Sequence, residues 1–445
     1  MKEKELIVFG LTNAKGMDIN MRIAACVPTY NRSNIVEEFL TKSLFDYKDF
    51  GIDIYIYDSS SDDETEQVVK IWMEKSDCLF YVRIPSSFHA NMKVLKIFQQ
   101  EGLTKPYDFI WVCGDALRFK REALSTIMPH VLPQYDMIEV NGMDKEKLGT
   151  REYDEPNEYF KDCAWHLTLF GAVILNVKTM LSDVDWDYYE SKCSSREFVN
   201  FSHVSFYFDK LVSMNNFKAL HLSLNPYFVT SSPLKEKSGW YEETFHVICS
   251  GWFQTIQNLP RCYENKREAM IKFGKYTMFN TKDLLDLREK NCFNKTMFKQ
   301  FRNVWKDVCD MPIIELYLIA SMPILLSKYI SRIRRYFENL KSMMHLKKFL
   351  KRYHQILIYG AGKKALIYGR YFEKKNISYS GFCVTDADKN GSELLGHPIY
   401  SLADIEDSLA NVGIVLALNP VNMEEVVRLL QLKGVGDQVF YDNIS

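Results

Sequence analysis

An excess of either charge is missing from this chain. Fifty-six basic residues stand against fifty-seven acidic ones, a net charge of −1 over 445 residues. That balance excludes wholesale nucleic-acid binding, which needs a surplus of Lys and Arg. The ten cysteines include no Cys-x-x-Cys pair, so neither a zinc ribbon nor a dithiol redox motif is indicated. Cys26, Cys113 and Cys383 lie inside apolar runs, where a reduced thiol packs as a small core residue. A reducing cytosol suits them. No apolar run reaches the ~18 residues of a spanning helix. The nearest approach, 313–330, is broken by Glu315, Pro323 and Lys328. The opening residues are charged and the apolar stretch at 6–9 is too short for a signal-peptide core, so no signal peptide is expected. Internal repeats and low-complexity tracts are also absent.

What is present is a chain long enough for two or three domains. From residue 21 to about 141, short apolar runs alternate with helical patterns, predicted at 33–44, 63–74, 90–100 and 120–128. Ser33 and Asp62 or Asp63 stand where N-caps belong. This order implies a largely parallel sheet. Residues 148–160 are polar and read as a loop; 167–175 return as an apolar run, 198–211 as a helix and 219–222 as a strand. From 240 to about 350 the pattern turns helical, rich in aromatics and Lys. A second α/β unit begins at 356. The expected division is therefore 21–235, 236–353 and 354–445.

Three strands end in polar groups. Ile23 to Val27 runs into Pro28-Thr29-Tyr30-Asn31-Arg32, Ile54 to Tyr57 into Asp58-Ser59-Ser60, and Phe109 to Cys113 into Gly114-Asp115. In an open α/β sheet the carboxyl edge of the strands is where a nucleotide sits. Together these segments resemble the N-terminal half of family 2 glycosyltransferases of the GT-A fold. The resemblance implies an α/β chain with a GT-A type nucleotide-binding mixed sheet, a helical middle region and a small C-terminal Rossmann-like α/β domain. It implies a nucleotide-sugar donor held by Pro28, Thr29, Tyr30, Asn31, Arg32 and Asp58, and a diphosphate near Asn91, Lys93 and Asp115. The family carries Asp-x-Asp or three Asp where this chain has Gly114-Asp115-Ala116; Asp115 matches one acid of that motif. Mn²⁺ or Mg²⁺ at Asp115 is the metal so implied, with Arg118 or Lys120 as other sources of positive charge. Taken alone, Asp58 also reads as a helix cap and Asp115 as an exposed turn residue.

Inverting transfer needs a base for the acceptor hydroxyl. The family's Glu-Asp pair is missing, and counting back from Asn216-Phe217-Lys218 lands on His203, with Asp209 later on the same helix. A buried structural His is the plainer alternative. Trp165 and His166 either line an acceptor pocket or pack. The acceptor implied is a saccharide or lipid-linked saccharide of a bacterial surface polysaccharide, capsular or exopolysaccharide, with the enzyme in the cytoplasm.

Between 328 and 352, Lys328, Arg332, Arg334, Arg335, Lys341, Lys347, Lys348, Lys351 and Arg352 face one acid, Glu338, with apolar residues interleaved. That pattern suits peripheral contact with a membrane, or a linker helix with a solvated face. Further on, Gly360-Ala361-Gly362 follows a strand and opens a helix, with Ala365 in the third position and Asp386 after the next strand. This unit is similar to the N-terminal unit of bacterial sugar O-acetyltransferases, which implies a second nucleotide site without chemistry. Two other functions stay open: a non-catalytic nucleotide-sugar-binding regulator or scaffold, and an NAD(P)-dependent sugar oxidoreductase resting on Gly360 to Ala365.

Overall fold

A computed structural model describes residues 21–441, apart from 62–63, 144, 195–199, 233, 235–239, 386–390, 406–407, 410, 419–422, 424–425, 428 and 432. The chain divides into two compact units, up to Ser327 and from Lys328 onwards.

The first unit is built on an eight-stranded mixed sheet. Its strands are β1 (Ile23–Thr29), β2 (Ile52–Asp58), β3 (Leu79–Arg83), β4 (Phe109–Val112), β6 (Met137–Asn141), β7 (Arg151–Tyr153), β8 (Val173–Asn176) and β9 (Ala219–Ser223); β5 (Leu117–Phe119) and β10 (Val229–Ser231) form a separate antiparallel pair. The order is β3-β2-β1-β4-β8-β6-β9-β7. β3, β2, β1 and β4 are parallel, β8 runs against both β4 and β6, and β9 is parallel to β6. The reason is local. β1, β2 and β4 are nearly continuous apolar runs of the kind buried on both faces. β1 and β2 are each followed by an amphipathic helix that returns the chain for a parallel neighbour, and the helix Ala90–Phe98 links β3 to β4 in the same way. The helix Ser33–Asp49 lays Val36, Phe39, Leu40, Leu44 and Tyr47 on one side of the sheet, where Tyr47 stacks on Trp111 with centroids 6.1 Å apart.

The stretch 148–160 is not a loop. It holds the edge strand β7, antiparallel to β9, and the start of the helix Pro156–Cys163. Of β7 only Tyr153 is buried, so three residues carry too little apolar alternation to show in the sequence. The apolar run at 167–175 also divides. Its first part is a 3-10 turn at His166–Thr168 and only its end is β8. The helices after Trp240 pack onto the sheet-bearing unit: Phe160 and Phe208 meet Tyr263, and Phe201 meets Trp252 and Phe273. Further out, Phe245, Phe279 and Phe293 surround Trp305.

The second unit holds a six-stranded sheet of β11 (Gln355–Tyr359), β12 (Gly381–Val384), β13 (Glu393–Leu394), β14 (His397–Ser401), β15 (Val412–Leu416) and β16 (Val439–Tyr441), ordered β13-β14-β12-β11-β15-β16. All pairs are parallel except β13 with β14. Alternation along β11 sends Ile356 and Ile358 to one core and Leu357 and Tyr359 to the other, so both faces are covered. Leu346 and Phe349, at the end of the helix Ile324–Leu350, join the first of these cores.

Candidate active site

Thr29 and Asp58 are the last residues of β1 and β2 and face each other in the strand register. Asp115 lies three positions beyond the end of β4, the strand on the other side of β1. One sheet edge therefore carries all three. Asn31 turns the chain there in the left-handed region, at φ 49°, which Asn tolerates better than most residues. Its backbone N–H donates to Ser60 Oγ at 2.8 Å and its side-chain amide donates to Ser61 Oγ at 3.1 Å. The turn after β1 is thereby tied to the turn after β2.

Two carboxylates define the floor. Asp58 is fully buried; it accepts from the Ser60 N–H at 2.7 Å, Tyr81 Oη at 2.8 Å and Arg83 Nη1 at 2.9 Å. Asp115 accepts from Thr29 Oγ1 at 3.0 Å and from Arg32 Nη1 at 3.1 Å. Lys93 enters from the first turn of the helix Ala90–Phe98. It is 6% exposed, donates to the Thr29 carbonyl at 3.0 Å and lies 5.3 Å over the Tyr30 ring. Burial pulls its pKa down, and the charges of Asp58 and Asp115 oppose that shift. Pro28 is part of β1, opposite Tyr57, and Tyr30 is exposed. Arg118 lies on β5, its guanidinium 3.9 Å from Asp46. Lys120 caps the following helix. The donor set beside Arg32, a carboxylate and a hydroxyl oxygen, suits a hard divalent cation bound through one carboxylate plus diphosphate oxygens.

His203 reaches this neighbourhood through backbone. Asn91, on the same helix as Lys93, accepts from the Ser202 N–H at 3.3 Å, which joins the N-termini of the Ala90–Phe98 and Ser202–Val212 helices. His203 is 4% exposed beside the Phe170 ring. Burial pushes its imidazole down to about 4, against the opposing effect of the Thr168 and Leu167 backbone. Asp209 lies six residues further along, about 9 Å at helical rise. Burial raises it to about 6, with Lys192 opposing.

Trp165 and His166 are buried and pack, Trp165 against Tyr276 and His166 beside Glu139. Glu139, which the sequence did not single out, is the centre of a buried polar group. Its two oxygens lie 2.9 Å from His166 Nδ1 and 2.8 Å from His221 Nδ1, and Cys163 Sγ is 3.8 Å from the latter. Burial alone would raise the Glu139 carboxyl; the two imidazoles hold it down at about 2. Ligand atoms of Glu139, Cys163 and His221 all lie within 4.8 Å of one another, the one such metal-capable group among the described residues. Arg83 was also missed. Its signal is positional: it ends β3 in register with Asp58.

In the second unit Gly360 has φ 122°, and a Cβ there would come within 2.9 Å of the Ala417 carbonyl oxygen. Gly362 caps the helix Lys363–Lys374, and a Cβ on it would meet nothing within 4 Å. Ala365 is on that helix and is buried in its core-facing side, and Asp386 lies outside the described residues.

Comparison with known proteins bears on the first unit. The chain is 27% identical over 119 residues to the abequosyltransferase of Salmonella typhimurium, covering 26% of this chain and 34% of that protein. It thus spans about a third of the length of that curated relative. Among solved structures it is similar to a mannosyltransferase of Pyrobaculum calidifontis in complex with GDP-Man and Mn²⁺, at 12% identity over 66% of this chain and 78% of that one, TM-score 0.37. It is also similar to residues 1–349 of TarS of S. aureus in complex with UDP, at 13% identity over 67% and 90% of the two chains, TM-score 0.36. Residues 24–97 match the profile of glycosyl transferase family 2. Thr29, Asn31, Arg32, Asp58, Asn91 and Lys93 stand inside that matching stretch, with Asp115 and His203 beyond it.

Proposed function

We propose that this chain is an inverting glycosyltransferase. It moves a sugar from a nucleotide donor, a uridine diphosphate sugar first among the candidates, to a saccharide or lipid-linked acceptor of bacterial surface polysaccharide. The observation that carries this reading is the convergence at one sheet edge of Thr29, Arg32, Lys93 and Asp115. Two cations and a carboxylate at the carboxyl ends of parallel strands form a receptor for a diphosphate. Asp58, held rigidly by Tyr81 and Arg83, meets the nucleoside. Asp115 would hold Mn²⁺ or Mg²⁺ when one is bound, and such an ion neutralises charge on the departing diphosphate. Arg32 and Lys93 supply fixed positive charge to the same group, and Arg32 exchanges Asp115 for phosphate oxygen as the donor enters. His203, uncharged at neutral pH, takes the acceptor proton; Asp209, further along the helix, is the alternative base.

The second unit is a nucleotide or nucleotide-sugar module without chemistry of its own. Gly362 supports this, because among the described residues no atom lies within 4 Å of where its side chain would begin, and a helix N-terminus follows. A lipid-linked acceptor places the enzyme in the cytoplasm at the inner face of the membrane, in peripheral contact through the basic segment 328–352.

Hydrolysis of a panel of nucleotide sugars, with and without Mn²⁺, is the direct test. One donor should be turned over, and Asp115→Ala should abolish that turnover while leaving the circular dichroism spectrum unchanged. Full activity in Asp115→Ala would remove Asp115 from the mechanism, and no donor bound at all would end the transferase reading.

A further inference from the structure

The helix Ile313–Ser321 is apolar but for Glu315 in its first turn, which accepts from the Thr281 hydroxyl at 3.4 Å, and for Ser321 at its end. Leu316, Ile319 and Ala320 are buried on its inner face, while Ile314 and Leu318 stand 66% and 58% exposed on the outer one. Met322 and Pro323 then turn the chain, and the next helix opens with Leu325 80% and Leu326 45% exposed. A surface helix of a water-bathed unit directs mainly polar residues outward; here the outward face is led by Ile314 and Leu318 and continues into Leu325 and Leu326.

The elbow is built into the fold. Arg288 Nε donates to the Met322 carbonyl at 2.7 Å and Ser327 Oγ donates to the Leu285 carbonyl at 2.9 Å. The carbonyl at the bend is thus satisfied from the protein side, as an apolar medium requires. No single helix among the described residues is long and apolar enough to cross a membrane, and the pair Ile313–Ser321 and Ile324–Arg334 is bent by 111°. A nine-residue helix reaches only ~14 Å, about half the hydrocarbon thickness. The geometry therefore suits entry into one leaflet. Beyond the elbow the same helix carries exposed Arg332, Lys341, Lys347 and Lys348, and Glu338 is its one acid. Basic side chains that follow an apolar segment in the chain complement an anionic headgroup layer.

We infer that the elbow at 313–326 is a monotopic insertion element, with Ile314, Leu318, Leu325 and Leu326 entering one leaflet of an anionic bilayer. The inference rests on the membrane contact proposed above and assigns its apolar half. Sedimentation of the full chain with phosphatidylcholine vesicles, with and without an equal part of phosphatidylglycerol, reads it directly and independently of activity. The wild type should bind the anionic vesicles and release them in high salt. Leu318→Glu/Leu325→Glu should bind roughly tenfold or more weakly with an unchanged thermal melt, since both positions are exposed. Lys347→Glu/Lys348→Glu tests the basic contact separately. If the leucine double variant binds like the wild type, the elbow inference fails while the basic contact stands. A wild type that binds no vesicle overturns both. A dimer in solution that the leucine variant loses, with no lipid binding, would show the face to be covered by a second copy and would also overturn the inference.

Discussion

His203 sits at the start of its helix with burial holding its pKa near 4. A base must be unprotonated to act, so the acid limb of kcat/KM should fall near pH 4 if His203 takes the proton. It should fall near pH 6 if Asp209 does, since burial raises that carboxyl to about 6. We expect activity to persist at pH 5 and His203→Ala to lower turnover by roughly 10²–10⁴-fold; a limb at 6 would transfer the role to Asp209. The same burial affects stability, with a fixed sign. An unfolded His protonates near 6.5 while the folded one waits until about 4, so stability falls as pH drops between them, by up to ~3 kcal/mol. His203→Asn should flatten that dependence in urea titrations between pH 7 and 5. Thr29, Asn31, Arg32, Asp58 and Asp115 were legible because each lies where a strand ends in a polar turn, a pattern local to a few positions. Arg83 was not, because it meets Asp58 only through the register of β2 with β3.

Among the elements, the strands that showed in sequence are those with four to seven mostly buried residues in a row, such as β1, β2 and β4. β5, β7 and β10 have three residues each and lie outside the core of the sheet; too few side chains are buried for alternation to appear. The Glu139 group has the same origin. Glu139 and His221 are partners in the β6–β9 register although 82 positions separate them, and His166 comes from the turn before β8. No spacing rule finds such a set. Its consequence is mechanical: one carboxylate fastens two strands and the 3-10 turn His166–Thr168. Glu139→Gln removes the buried charge that both imidazoles address, and the first unit should lose ~3 kcal/mol or more. Thermal unfolding should begin several degrees lower, with the far-ultraviolet spectrum of the remaining native protein unchanged; an unaltered midpoint would show the cluster to be incidental.

At the scale of the whole molecule the chain carries two sheets, each with a glycine- or proline-containing turn at the end of a central strand. If both bind nucleotides, Asp115→Ala should silence donor turnover yet leave one uridine-nucleotide site measurable by calorimetry in the full chain. Gly360→Ala, whose Cβ would press on the Ala417 carbonyl, should remove that residual site. Binding of nicotinamide nucleotides instead would turn the second unit towards redox chemistry, and no residual binding would leave it a structural module. In the first unit, β2 and β4 flank β1, so two inter-strand spacings, roughly 10 Å, separate the backbone that carries Asp58 from the one that leads to Asp115. The sheet is thereby a ruler: it fixes the separation of the strands that end in the two carboxylates. If the proposed donor spans this edge, its length is measured against hydrogen-bonded strands that cannot stretch, whatever the composition of the loops.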